Sequence, residues 1–326
     1  MLPGNYTRVS EFVIVGFPGL HPSYFQLMGG FFFCIYVTTI SGNFLLVGLF
    51  VLERSLQKPM YIIMLSLSLS DIGFSTVALP KAVTRYWWND GGISLYMCLF
   101  QKHMIHYFGN LNSLIFMTMA MDRYLAICHP LRYPKWMNNR TMLILTVFSW
   151  VSAMITPGIT TIQSAQLPYC GPNQIIHCYC DTNSLNKLSC ADISSQSAVS
   201  FSLAMFVLLV PFSFIIFSYV NIVVVVLRMV SVQSRWKTFS TCSSQLVIIC
   251  LYYIPRCGVY ISNLIKFTVS QDFVIGLTML YSLLPPLLNP FIYCLRTKEI
   301  KASLVKWACR RQSNTHPKPS FHPIAR

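Results

Sequence analysis

Seven stretches of the chain are apolar for about as long as the roughly 20 residues a helix needs to cross a bilayer. They run over 25–52, 59–83, 98–127, 141–162, 197–227, 238–263 and 273–295. The third is the most polar and the fourth the shortest. Seven such helices in 326 residues leave almost no polar chain to bury them, which excludes a soluble packing. An all-α membrane protein is expected, a seven-transmembrane helix bundle. Composition agrees, since 10% of the residues are charged against about a quarter in soluble domains. An aromatic share of 14% excludes a disordered chain.

A net charge of +15 would by itself suggest nucleic acid, but the basic residues sit in short clusters between apolar runs. Lys and Arg concentrate on cytoplasmic flanks. Arg54 and Lys58, then Arg132, Lys135 and Arg140, then Arg228, Arg235 and Lys237, and a basic tail all fall on one side. This places 1–24 outside the cell, the bundle over 25–296, and 297–326 in the cytoplasm. The first 24 residues lack a basic segment leading into a long apolar core, so the first helix is expected to act as the insertion signal. Of two sequons, Asn5-Tyr6-Thr7 lies outside and is open to glycosylation, whereas Asn139-Arg140-Thr141 lies inside. No repeat of 20–50 residues marks a solenoid.

The long outer loop, 163–196, holds Cys170, Cys178, Cys180 and Cys190, and Cys98 begins the third helix on the same side. Disulfides persist in that oxidising space. Five cysteines cannot all pair with one another, so one stays free or pairs elsewhere. A bond from the loop to Cys98 would hold it over the bundle mouth. Cys98, Cys170, Cys180 and Cys190 are the disulfide candidates, with their pairing open. His177 to Asp181 has the residue types of a soft-metal site, but a disulfide-bound sulfur cannot ligate, so no metal and no cofactor is expected.

The inner end of the third helix reads Met119-Ala120-Met121-Asp122-Arg123-Tyr124-Leu125-Ala126-Ile127-Cys128-His129-Pro130. Other pieces follow in order: Gly42-Asn43, Pro59-Met60-Tyr61, Leu67-Ser68-Leu69-Ser70-Asp71, Ser218-Tyr219, Lys237-Thr238-Phe239-Ser240-Thr241-Cys242, and Pro286-Leu287-Leu288-Asn289-Pro290 with Tyr293. This set resembles the olfactory branch of the rhodopsin-like G-protein-coupled receptors over nearly all of 25–300. The stretch 79–101, Leu79-Pro80-Lys81 through Gln101, resembles the fish-like class, which is associated with water-soluble odorants. The resemblance implies a plasma-membrane receptor that binds an odorant outside, engages a stimulatory olfactory G protein inside, and works in sensory cilia. It also implies that Asp122, Arg123, Tyr124, Tyr219, Asn289, Pro290 and Tyr293 form the activation switch. A guanidinium with five donors suits the exchange of partners that such a switch needs.

Asp71 is a carboxylate in mid-membrane, where a lone charge is costly and usually functional. Asn43, Asn112 and Asn289 are its candidate partners in a polar network. Olfactory receptors commonly carry a glutamate where this chain has Asn112, and the missing charge disfavours sodium there. Pro290 interrupts the seventh helix and frees carbonyls that the network can satisfy.

Two polar stripes lie in the outer half. His103, His106, Asn110 and Ser113 share one face of the third helix, either as interhelical glue or as a pocket wall. Tyr253, Arg256 and Tyr260 share a face of the sixth. Tyr253 matches the family's switch tyrosine, although Tyr252-Tyr253-Ile254 and the following Pro255 depart from the usual pattern. Arg256 lies about 10 Å inside its helix end, and a buried guanidinium needs an anionic partner. The outer halves of the other helices offer none, and the loop residues Asp181, Asp192 and Asp272 are the nearest. Either a loop carboxylate pairs with Arg256, or the missing anion is a ligand carboxylate or sulfonate held by Arg256 and His106. Ile105 stands where amine receptors carry an aspartate, which disfavours an amine ligand.

Several rivals lack their chemistry. No lysine lies in 273–295 to bind retinal, and no His-Glu-x-x-His or comparable constellation marks an enzyme. The alternatives are a lipid or peptide receptor of another rhodopsin-like branch, or a transporter or channel. After the seventh helix, 297–308 reads as a short amphipathic helix on the inner membrane surface. Cys309 beside Arg310-Arg311 is a palmitoylation candidate, and 312–326 reads as disordered.

Overall fold

Local signals fix where the rods begin. Pro59 opens the second helix after an extended Lys58, as its locked φ and missing N–H suit a first turn. The side chains of Ser94, Asn138 and Ser270 cap three others by accepting from Met97 N, Thr141 N and Phe273 N. In the computed structural model, which describes residues 9–264 and 270–315, the elements in chain order are β1 (Glu11–Ile14), α1 (Phe25–Leu52), α2 (Pro59–Trp87), β2 (Gly92–Ser94), α3 (Leu95–Cys128), α4 (Tyr133–Trp136), α5 (Asn139–Ser152), α6 (Ile155–Ala165), β3 (Gln174–Ile175), α7 (Thr182–Asn186), α8 (Ser194–Arg228), α9 (Val232–Leu264), α10 (Gln271–Arg296) and α11 (Lys298–Thr315). Asn5 lies outside the described residues.

The seven expected rods are α1, α2, α3, the broken pair α5–α6, α8, α9 and α10. Length and apolarity alone mark five spans among the described residues: Pro22–Leu52, Pro59–Trp87, Asn139–Ala165, Ser194–Arg228 and Gln271–Cys294. Helix α3 falls short because it packs against α2, α5, α6 and α8. Protein covers its polar groups, so lipid does not force it to be apolar. The opposite case is α8, where Phe206, Leu209, Val210, Ile216, Phe217 and Val220 are exposed as a lipid-facing flank.

The fourth rod breaks between Ser152 and Ile155, and the cause is Pro157. Proline has no N–H to give to the carbonyl four residues back, which is Ala153 O. Asn110 on α3 reaches that carbonyl at 3.5 Å and also donates to Thr156 Oγ1. The same repair recurs in α10, where Pro290 strips Pro286 O of its helical donor and Asn43 Nδ2 supplies one at 3.1 Å.

A small sheet unforeseen in the sequence covers the outer mouth. Strand β1 is its middle, antiparallel to β2 and parallel to β3. Phe12 and Ile14 point inward and are fully buried with Leu95, Leu99, Tyr169 and Ile175 in a second core. The chain leaves this sheet through Gly16 at φ +80°, a left-handed conformation that favours glycine. A Cβ there would collide with the hydroxyl of buried Tyr86, which accepts from Phe17 N at 2.9 Å. Gly16→Val is therefore expected to cut surface expression several-fold through a strain of about 1–2 kcal/mol and a displaced Tyr86; flow cytometry with an outer-loop antibody checks it.

On the inner side α11 packs through fully buried Ile300, and Lys306 pairs with Glu53 at 2.9 Å. The helix continues past Ala308 to Thr315, so 312–315 are helical rather than disordered as expected, and 316–326 lie outside the described residues.

Candidate ligand cavity and inner switch

Beneath the sheet, a cavity of about 400 Å³ opens between α2, α3, α9 and α10 under the outer loop. His106, Arg256 and Tyr260 line it, as does the loop carboxylate Asp181. A second cavity of about 270 Å³ lies toward α6 and α8, and these four residues line it too, so they stand where the two meet.

Arg256 is only 8% exposed, and no carboxylate comes within ion-pairing distance of it among the described residues. The three loop acids are engaged elsewhere. Asp272 accepts from Gly19 N, Asp192 from Ser194 N, and Asp181 Oδ2 from Asn183 N and Ser184 N. Asp181 Oδ1 lies 3.9 Å from His106 Nε2. Burial works against the charge of Asp181, but the His177 and His106 imidazoles and the two N–H groups outweigh it and hold the carboxyl below the usual range.

The guanidinium is held by neutral groups instead. Arg256 donates to Tyr252 Oη at 2.6 Å and lies over the Tyr252 and Tyr260 rings. Tyr252 in turn donates to Gly109 O at 2.6 Å and meets Ser113 Oγ at 3.2 Å, tying α9 to α3. Sequence reasoning put Tyr253 here, but Tyr253 is fully buried and stacks on Phe212 4.7 Å away. Helical phase was a usable signal: at about 100° per residue, Tyr252 lies about 40° from Arg256 and Tyr253 about 60°.

The α3 stripe also divides. His106 faces the cavity and meets Thr182 Oγ1 of the loop at 2.8 Å. His103 turns to α6, where it meets Thr161 Oγ1 at 3.3 Å, and neither cavity touches it. Asn110 lines the smaller cavity and mends the Pro157 break. A residue the sequence reading passed over, Lys102, is fully buried beside them. Its Nζ donates to Thr160 O and Ser164 Oγ, and Ser164 donates on to Asn186 Oδ1, binding α3, α6 and α7. Two disulfides fix the loop, Cys98–Cys180 and Cys170–Cys190, and Cys178 is the free, buried fifth. No group of three or more His, Cys, Asp or Glu is placed to hold a metal ion among the described residues.

Below the cavity floor, Asp71 accepts from Asn289 Nδ2 at 2.6 Å and from Asn112 Nδ2 at 3.4 Å. Asn43 belongs to the α10 repair and does not bond Asp71 itself. At the inner end, Tyr133 of α4 donates to Asp122 at 2.9 Å, while Arg123 turns to Met60 Sδ at 2.9 Å. Tyr124 meets His129 Nε2 at 3.2 Å. Tyr219 and Tyr293 bury hydroxyls that have no hydrogen-bond partner among the described residues.

A seven-helix bundle with an outer cavity and an arginine-bearing inner end defines a rhodopsin-like receptor, and squid rhodopsin shares the fold. The two superpose with a TM-score of 0.70 over 95% of this chain and 97% of that one, at 17% identity. Residues 32–311 match the family model described as olfactory receptor. Mouse olfactory receptor 1E16 is 37% identical over 96% of this chain and 98% of its own length, and human olfactory receptor 2AT4 is 36% identical over 90% and 92%. The chain belongs to the olfactory receptor family. It is a multi-pass plasma-membrane receptor for an odorant and a G protein, and not an enzyme.

Proposed function

We propose that this receptor responds to small water-soluble acids, whose carboxylate or sulfonate sits on Arg256 with His106 beside it. One observation carries the reading: a buried guanidinium lines the cavity with only phenols as partners among the described residues. A ligand anion supplies the counter-charge that no carboxylate gives Arg256 among the described residues. The resemblance of 79–101 to the fish-like class points the same way.

A ligand that takes over Arg256 repositions α9 on the cavity side and favours a bundle state with an open inner cleft. Asp122, Arg123, Tyr124, Tyr219, Asn289, Pro290 and Tyr293 carry that change to a stimulatory olfactory G protein in sensory cilia, raising cyclic AMP. A cyclic AMP assay in transfected cells against acids, amines, steroids and prostaglandins tests this. Acids are expected to activate and amines of equal size to be silent; activation by amines alone would contradict it.

A further inference from the structure

We infer that the acid this cavity takes is a zwitterion, an α-amino acid with an apolar side chain, its carboxylate on Arg256 and its ammonium on Asp181 Oδ1; the inference rests on the acid-binding reading above. Arg256 and Asp181 carry opposite charges, and each lines both cavities. Yet they do not pair with each other, and no lysine or arginine lies within ion-pairing distance of Asp181 among the described residues. Two free opposite charges in one space would be drawn together. These two are held from separate sides. Asp181 is fixed by the Asn183 and Ser184 N–H groups on Oδ2 and by the Cys98–Cys180 bond next to it, and Arg256 is fixed by Tyr252.

The second carboxylate oxygen is the one left to a ligand. No hydrogen bond reaches Asp181 Oδ1 among the described residues. His106 Nε2 is 3.9 Å away, beyond hydrogen-bonding range, and meets Thr182 Oγ1 at 2.8 Å instead. Oδ1 is open to the cavity rather than sealed, the Asp181 side chain being 26% exposed. A charged donor satisfies such an oxygen about twice as strongly as a neutral one.

The placing of the two charges sets the form of the ligand. Arg256 and Asp181 share the junction of the cavities, so both ligand charges belong to one end of the molecule, as the ammonium and carboxylate of an α-amino acid do. Phe74, Ile105, Ile275 and Pro286 give the larger cavity an apolar wall that suits a hydrocarbon side chain. A plain acid leaves Asp181 without a counter-charge, and a plain amine leaves Arg256 without one.

The test uses cells expressing the full chain and four sets of compounds of about three to six carbons: α-amino acids, the 2-hydroxy acids of the same shape, the parent alkanoates, and ω-amino acids. The α-amino acids are expected to be about 10-fold more potent than each other set, a difference of ~1.4 kcal/mol. In Asp181→Asn that advantage over the 2-hydroxy acids, measured as a ratio within the variant, is expected to fall below about twofold. An asparagine oxygen still caps the Asn183 and Ser184 N–H groups, while its amide turns the open acceptor into a donor. If Asp181→Asn does not reach the surface, thermal stabilisation of the purified native receptor by the four sets gives the ranking without it. Hydroxy acids or ω-amino acids as potent as α-amino acids, or an advantage that survives Asp181→Asn, would overturn the inference. Alkanoates that act through Arg256 and gain nothing from an ammonium would sink this inference alone. Silence to all four sets would remove the acid-binding reading and this one with it.

Discussion

Arg256→Ala raises the half-maximal concentration of an acid agonist by about 10- to 100-fold, with surface expression retained. A charge-assisted hydrogen bond is worth about 1.5–3 kcal/mol, and ten-fold in affinity is about 1.4 kcal/mol. The folded receptor should tolerate the change, because Arg256 has no ion pair to leave behind among the described residues. Its partner Tyr252 keeps the hydroxyl's bond to Gly109 O. Arg256→Lys restores part of the response, since an ammonium keeps the charge but not the planar fork. Dose–response curves normalised to surface staining check both variants. An unchanged curve in Arg256→Ala would remove the guanidinium from the ligand site.

Cys180→Ser removes most surface receptor. The Cys98–Cys180 bond closes a loop with 82 residues of sequence separation, for which chain entropy alone gives a loss of about 4–5 kcal/mol. That is comparable to the whole stability of many domains, about 5–15 kcal/mol. The bond also fixes the loop beside Asp181, and its Cys180 is two residues from free Cys178. Cys178→Ser is expected to stay near normal, because that thiol is unpaired and of similar size to serine. Flow cytometry on the pair separates the two cysteines; equal losses would contradict the observed pairing.

Much of the fold was legible because a bilayer leaves a chain few choices. Five rods among the described residues announce themselves as long apolar runs, and α3 was recognisable as the polar one because a central helix meets protein rather than lipid. The lid was not legible. The alternation in Glu11-Phe12-Val13-Ile14 is short, and its partners at 92–94 and 174–175 are far along the chain. The cysteine count showed that one must be odd, but the fold, not the count, selects Cys178.

The site was legible where a residue was costly and opaque where only rotation about a helix decided. Arg256 stood out as a cation well inside a span, and Asp71 as a carboxylate in mid-membrane, whereas the equally buried Lys102 near its helix start did not. Tyr252 and Tyr253 are neighbours of identical chemistry, and only helical phase sends one to the cavity and the other to Phe212. His103 and His106 fall on one stripe, yet His103 meets Thr161 of α6 and lines neither cavity. Asn110 read as a pocket wall, but much of its work is to mend the carbonyl that Pro157 leaves open.

The central claim, that an anion at Arg256 drives exchange at the inner face, is tested most directly by purified receptor in nanodiscs with a purified stimulatory G protein. Nucleotide exchange is measured with a short acid and with its methyl ester, on the native chain and on Arg256→Ala. The account predicts faster exchange with the acid on the native chain only. Equal stimulation by the neutral ester, or by the acid on Arg256→Ala, would contradict it.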